Sequence, residues 1–217
     1  MQQAKELKCI DGYLRYLLRK SVKFDFVAQV AKGKALLVGE GNLSFALSLA
    51  HKQSINPANI TATTFENASE VSQGTQDNTE KLRLLGAEVL HGINASKIAD
   101  IFSGRRFETI IFQFPHSGSR EPINGHNPNF VLVCNFLKNA ARLLASNGAV
   151  LISAVDSPHY HGAFQFKDAA QETGFLKPAI YPFEPDDFIG YEHTMTHQSG
   201  SALENHNKFS TWVFHLE

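Results

Sequence analysis

The turn Gly39-Glu40-Gly41-Asn42 restricts the fold more than any other feature of this sequence, because two apolar segments of different periodicity flank it. The preceding residues 34–38 form a short apolar run, which is typical of a strand buried on both faces of a parallel sheet. The following residues 43–50 favour a helix, which Asn42 or Ser44 can cap. A glycine turn in this position lets the backbone approach a ligand at the carboxyl edge of the sheet.

Strand and helix patterns alternate along the rest of the chain. Strands are predicted at residues 34–38, 59–65, 88–91, 107–112, 149–155, 176–181 and 209–215, and helices at residues 13–30, 43–50, 75–85, 95–102, 127–146 and 163–172. This alternation predicts an α/β fold, with helices on both faces of a mostly parallel sheet. We predict one domain over residues 1–217, with residues 1–33 as a helical segment packed on it. Residues 182–208 form an irregular stretch long enough to predict either a functional loop or disorder.

Charge and cysteine content narrow the class of protein. The net charge of −1, from 20 Lys and Arg against 21 Asp and Glu, excludes a uniformly basic nucleic-acid binder but leaves open a local basic patch. Cys9 and Cys134 are too few for a disulfide framework or a thiolate zinc site. Because the sequence shows neither a membrane-length apolar run nor a signal-peptide pattern in residues 1–19, we expect a cytoplasmic protein without a membrane partner. Two clusters could form the basic patch: Arg15, Arg19, Lys20 and Lys23, and Arg105, Arg106 and Arg120.

An acidic residue at the end of the second predicted strand points to the ligand class. Glu66 lies 25 residues beyond Gly41, where a carboxylate accepts hydrogen bonds from a ribose diol. A dinucleotide fingerprint would place a third glycine where Ser44 stands, and Leu43 and Phe45 add apolar surface to the turn. These residues favour a phosphate-free adenosine ligand, S-adenosylmethionine, over NAD. A turn that binds nothing stays open as the structural alternative.

Four segments together resemble one known family. These are residues 36–50, residues 62–66, the motif Phe112-Gln-Phe-Pro-His-Ser-Gly118 and the segment Ile189-Gly-Tyr-Glu-His-Thr194. They resemble a Rossmann-like methyltransferase family typified by the fungal large-subunit ribosomal RNA uridine-N3 methyltransferase, and the resemblance covers about three-quarters of the chain. It implies a class I methyltransferase sheet of seven mostly parallel strands in the order 3-2-1-4-5-7-6. It also implies S-adenosylmethionine as the cofactor and RNA as the substrate, with uridine N3 as the modified atom.

The same resemblance implies the residues of the site. Glu66 would hold the ribose hydroxyls and Asn94 would approach the adenine, while Gln113 stands where the family pattern has Asn. The implied cofactor-binding residues are Gly39, Glu40, Gly41, Asn42, Ser44, Phe45, Glu66, Asn94, Phe112 and Gln113. The implied substrate-binding residues are Phe114, Pro115, Tyr191 and His193.

A histidine after the fourth predicted strand is the candidate base. The N3 atom of uracil is protonated near neutral pH, so a base within hydrogen-bond reach would assist its methylation. His116 is the first candidate, because histidine titrates in the useful range, and a purely structural role stays open. Histidine pairs at 159/161 and 193/197 lack the glutamate of a metalloprotease helix, so we expect no metal. The alternative functions are methylation of a small molecule or protein, and a non-catalytic nucleotide- or NAD-binding module.

Overall fold

The computed structural model describes residues 23–194 and 206–217, which form one seven-stranded sheet in the order β3-β2-β1-β4-β5-β7-β6. The five strands from β3 to β5 pair in parallel, whereas β7 runs antiparallel to both β5 and β6. The predicted fold class and the strand order that the resemblance implied are both confirmed. The strands are β1 Ala35–Val38, β2 Ile60–Thr63, β3 Glu88–Leu90, β4 Phe107–Gln113, β5 Leu144–Val155, β6 Ala179–Phe183 and β7 Phe209–Phe214.

Helices cover both faces of this sheet. They are α1 Phe26–Val30, α2 Ser44–Ala50, α3 Gln73–Leu84, α4 Ile98–Ile101, α5 Pro128–Leu143, α6 Pro158–Phe164 and α7 Phe166–Glu172. Short 3₁₀ turns lie at Pro57–Asn59, Ala95–Lys97 and Pro185–Asp187. None of the helices in residues 23–194 and 206–217 combines the length and the apolar character needed to cross a membrane.

Two apolar cores lie on opposite faces of the sheet, and β4 contributes to both. Phe112 belongs to the core that contains Phe136 of α5, which we call the α5-side core. Ile111 belongs to the core that contains Phe45 of α2, which we call the α2-side core. Because β1 is buried on both faces, its sequence is apolar throughout instead of alternating.

Several element boundaries differ from the predicted ones. The predicted helix 163–172 contains the last two residues of α6 and the whole of α7, which are separated by Gln165 in a left-handed conformation with φ +44°. β5 begins at Leu144, five residues before its predicted start, and contains Asn147 with φ +62°. Of the predicted helix 13–30, residues 13–22 lie outside the described residues, and Asp25 caps the described part, α1. The predicted organisation as a single domain with a packed segment 1–33 therefore stays a prediction.

Candidate active site at the carboxyl edge of the sheet

The glycine turn between β1 and α2 is closed tightly around its two glycines. Gly39 has φ +65°, and an ideal Cβ there would lie 2.7 Å from Cε2 of Phe112. An ideal Cβ at Gly41 would lie 2.6 Å from the carbonyl oxygen of Thr194. A side chain at Gly39 would be disfavoured both by the left-handed backbone conformation and by overlap with the Phe112 ring. At Gly41 the absence of a side chain lets a segment distant in the sequence approach the turn.

Glu40 directs its side chain into the protein. It is 6% exposed, and its carboxylate accepts a hydrogen bond from the N–H of Ala46 at 3.0 Å, in the first turn of α2. Leu43 precedes this helix and provides no side-chain cap, so Glu40 takes the capping role from outside the helix. Burial raises the pKa of Glu40 to about 7, despite the opposing hydrogen bond from Ala46.

Residues 188–194, which we call the covering segment, lie on the glycine turn. The Nδ2 atom of Asn42 donates to the Glu192 carbonyl and to Thr194 Oγ1, both at 2.9 Å. Ser44 Oγ donates to the Glu192 carbonyl at 3.0 Å and accepts from the Glu192 N–H at 2.9 Å. Two side chains predicted to flank the cofactor therefore hold the covering segment in this structure.

The covering segment carries the two later residues of the predicted substrate set. The ring of Tyr191 packs against Phe45, with 5.2 Å between ring centroids. The pKa of Tyr191 is raised, mainly by burial and to a smaller extent by the charge of Glu40. The His193 ring lies 4.9 Å from the Phe114 ring, edge to face. Burial lowers the pKa of His193 to about 4, so its imidazole is neutral near pH 7.

The ends of β2 and β3 place Glu66 and Asn94 along the same edge. The Glu66 backbone carbonyl accepts from the N–H of Gly92 and from Thr64 Oγ1, both at 2.8 Å, which fixes the backbone at this point. Within the described part of the chain, the half-buried Glu66 carboxylate itself has no hydrogen-bond or ion-pair partner. Asn94 accepts the N–H of Ser96 at 2.8 Å and so caps the 3₁₀ turn after β3.

The end of β4 supplies an aromatic ring, a carboxamide and a histidine. Phe114 adopts φ +48° and packs edge to face on Phe183 and Phe209, while Pro115 is buried beside it. Gln113 directs a carboxamide into the interior, where neither Oε1 nor Nε2 has a hydrogen-bond partner in the part of the chain that the structure describes. His116 is exposed, and its Nδ1 accepts the N–H of Gly118 at 2.9 Å. The Nδ1 lone pair is thus occupied, and the neutral ring carries its proton on Nε2.

The basic residues that could form a patch are divided between the two edges of the sheet. Arg105 and Arg106 precede β4 and lie at the amino edge, where Arg105 pairs with Glu88 at 2.8 Å. Arg105 and Arg106 therefore do not form one patch with Arg120, because the length of β4 lies between them. Arg120 follows β4 and lies at the carboxyl edge. Lys23, from the other cluster, forms an ion pair with Asp187 at 2.6 Å. Arg15, Arg19 and Lys20 lie outside the described residues.

The predicted histidine pairs do not assemble a metal centre in the part of the chain that the structure describes. His161 instead pairs with Asp156 at 3.0 Å, and no group of three or more His, Cys, Asp or Glu side chains there could hold a metal ion. His197 lies outside the described residues.

Comparison with known sequences identifies relatives. Residues 36–195 match the sequence model of the family described as rRNA (uridine-N3-)-methyltransferase BTM5-like. The human ferredoxin-fold anticodon-binding domain-containing protein 1 is 30% identical over 179 residues, which cover 76% of this chain and 28% of that protein. The heavy metal-associated isoprenylated plant protein 41 of Arabidopsis thaliana is 32% identical over 170 residues, which cover 73% of this chain and 32% of that protein. The chain therefore spans less than a third of the length of these relatives.

Comparison with solved structures identifies the fold. TrmN from Thermus thermophilus superposes with a TM-score of 0.53 at 14% identity, over 88% of this chain and 47% of that one. Precorrin-6y C5,15-methyltransferase from Geobacter metallireducens gives a TM-score of 0.53 at 14% identity, over 88% of this chain and 84% of that one. At such low identity these likenesses show the fold alone, which is that of the class I methyltransferases.

Proposed function

The chain belongs to the BTM5-like rRNA (uridine-N3-)-methyltransferase family, and we propose that it transfers a methyl group from S-adenosylmethionine to N3 of a uridine in RNA. One arrangement carries the proposal beyond family membership. The glycine turn after β1, the carboxylate of Glu66 after β2 and the motif 112–118 at the end of β4 lie at one edge of three adjacent strands. Ligands of open α/β sheets bind at this edge, outside the carboxyl ends of the strands.

The residues present fit an adenosine ligand. The Glu66 carboxylate would accept the hydrogen bonds of a ribose diol, since no described residue is bonded to it. Asn94, fixed after β3 by its bond to Ser96, would border the adenine, and Gly39 would let the backbone approach the ligand. Asn42 and Ser44 would act through the covering segment, which they hold beside the methionine moiety. When bound, S-adenosylmethionine supplies an electrophilic methyl group on a sulfonium.

The chain's own residues would position the acceptor base and assist its deprotonation. Methyl transfer from a sulfonium is an in-line displacement, so holding the two reactants in a near-attack geometry supplies much of the rate. Phe114, Pro115, Tyr191 and His193 would form the apolar wall against which a flat base lies. His116 would accept the N3 proton on Nδ1, which requires the N–H of Gly118 to leave that atom first.

Two measurements on the purified chain test this function. Calorimetry should show binding of S-adenosylmethionine and none of NAD, and Glu66→Gln should weaken that binding by about tenfold to a hundredfold. The exposed Glu80→Gln on α3 is the matched control and should leave the affinity unchanged. Incubation with tritiated S-adenosylmethionine and total RNA, protein and metabolites should then label RNA, with 3-methyluridine in its digest. Label confined to protein or metabolites, or a preference for NAD, would overturn the proposal.

A further inference from the structure

The carboxamide of Gln113 is a buried polar group at the carboxyl edge that forms no hydrogen bond with the described residues. Gln113 is the last residue of β4, and both its Oε1 and its Nε2 are buried without a hydrogen-bond partner among residues 23–194 and 206–217. It lies two residues beyond Ile111 on the same strand, and therefore on the α2-side face of the sheet. Buried amides in native proteins are nearly always hydrogen-bonded. An unpartnered amide at the carboxyl edge of the sheet, where ligands bind, therefore suggests that a bound ligand supplies the missing hydrogen bond.

The neighbours of Gln113 across the sheet do not compensate for the missing bonds. Ser153 pairs with Gln113 in the register of β4 and β5, but its hydroxyl is bonded to that of Thr211 at 2.8 Å. On the other side, one residue beyond the Val38–Phe112 pair, stands Gly39, which has no side chain. Among the described residues, neither strand neighbour of Gln113 therefore supplies its carboxamide with a hydrogen bond.

The order of strands along the edge separates Gln113 from the proposed ribose position. Glu66 follows β2, the glycine turn follows β1 and Gln113 ends β4, in that order across the sheet. A cofactor anchored on Glu66 that extends over β1 therefore points its far end towards β4. Phe114, the first residue of the apolar wall, follows Gln113 directly and contacts His193.

We propose that Gln113 binds the acceptor base, with its Nε2 donating a hydrogen bond to a ring carbonyl oxygen adjacent to N3. This inference rests on the proposed function and names the residue that orients the uracil. Loss of the N3 proton to the base spreads negative charge over N3 and both flanking carbonyl oxygens. A fixed N–H donor at one of these oxygens stabilises that charge. The N3 lone pair stays free to form the new N–CH₃ bond as the S–CH₃ bond breaks and the sulfonium becomes a neutral thioether.

A pair of glutamine substitutions tests this role. Gln113→Met keeps the approximate volume and removes only the amide, so the melting temperature of the apoprotein should not fall. It should also leave the affinity for S-adenosylmethionine unchanged, while the rate of RNA methylation at saturating cofactor falls about a hundredfold. The control is Gln29→Met, because Gln29 is a buried glutamine whose carboxamide is in use and donates to the Glu108 carbonyl and to Thr109 Oγ1. That variant should lower the melting temperature and retain the methylation rate.

A third variant tests the direction of the hydrogen bond. Gln113→Glu has the same shape but presents only acceptors to a base that becomes negative, so it should be at least as slow as Gln113→Met. A Gln113→Glu enzyme with the wild-type rate would overturn the donor role.

The outcomes separate this inference from the proposed function. Wild-type protein that binds no S-adenosylmethionine, or labels no RNA, overturns the proposed function and the role of Gln113 with it. Wild-type protein that labels RNA while Gln113→Met labels it equally overturns the role of Gln113 alone. A weaker affinity for S-adenosylmethionine with an unchanged rate at saturation assigns the carboxamide to the cofactor, and a lower melting temperature of Gln113→Met assigns it to the fold. Either result overturns the inference.

Discussion

At the scale of single residues, Gly39 shows how one position can combine two separate requirements. Its φ of +65° lies in the left-handed region, and the Phe112 ring occupies the space that a Cβ would need. Gly104 has φ +81° with nothing within 4 Å of an ideal Cβ, so it meets only the first requirement. The two glycines therefore separate backbone strain from side-chain overlap.

Replacing these two glycines by alanine should give different losses of stability. Gly104→Ala should cost about 1–2 kcal/mol of unfolding free energy, from the left-handed conformation alone. Gly39→Ala should cost more, because Phe112 must also move. Urea denaturation of both variants measures the difference, and equal losses would show that the ring gives way freely.

A second prediction at this scale concerns Glu40 and pH. Because burial raises its pKa in the folded state from 4.5 to about 7, the protonated form is the one that the fold favours. The contribution of this protonated form to the free energy of unfolding is fully present below pH 4.5 and is lost as the pH rises through 7. The free energy of unfolding changes over this range by an amount on the order of 3 kcal/mol.

Glu40→Gln should remove this pH dependence while its side-chain oxygen still accepts the N–H of Ala46. Relative to the variant, the wild-type protein should lose unfolding free energy between about pH 5 and pH 7. Parallel stability curves for the two proteins over this range would show that Glu40 titrates normally in the folded state.

At the scale of elements, local patterns predicted the glycine turn and its flanking strand and helix, because neighbouring residues form these structures. The contact of the covering segment with the glycine turn had no local signal, since the bond from Asn42 to the Glu192 carbonyl joins residues 150 positions apart. The break between α6 and α7 was missed for another reason. Gln165 takes the left-handed conformation without being Gly or Asn, so its residue type gives no indication of it.

The contact of the covering segment with α2 gives a prediction for a whole element. Ser44→Ala removes two hydrogen bonds to Glu192 and should lower the unfolding free energy by about 1–2 kcal/mol. Hydrogen exchange in residues 188–194 should accelerate more than in α7, because the loss is local. Ser72→Ala, which removes the cap of α3, is the control and should not change exchange in residues 188–194. Unchanged exchange in the Ser44→Ala covering segment would mean that other contacts hold it.

At the scale of the whole molecule, the direction of the strands decides which charged residues can serve the site. Arg106 precedes β4 and Arg120 follows it, so the length of the strand lies between two residues that the sequence places only 14 positions apart. Sequence spacing alone made both of them flank the fourth strand, and only the orientation of the sheet distinguishes the amino edge from the carboxyl edge. A basic residue near a strand in the sequence is therefore weak support for a role in substrate binding.

The proposed RNA substrate makes this difference measurable. Arg120→Ala removes a cation from the carboxyl edge, so the KM for RNA should rise and the slope of log affinity against log salt should fall by about 1. Arg106→Ala removes an equal charge from the amino edge and should change neither quantity, which makes it the matched control. The measurement is a salt titration of RNA binding with all three proteins, beside methylation kinetics at one ionic strength. Equal effects of the two substitutions would mean that RNA follows the total charge of the molecule, and a larger effect of Arg106→Ala would place the RNA at the amino edge.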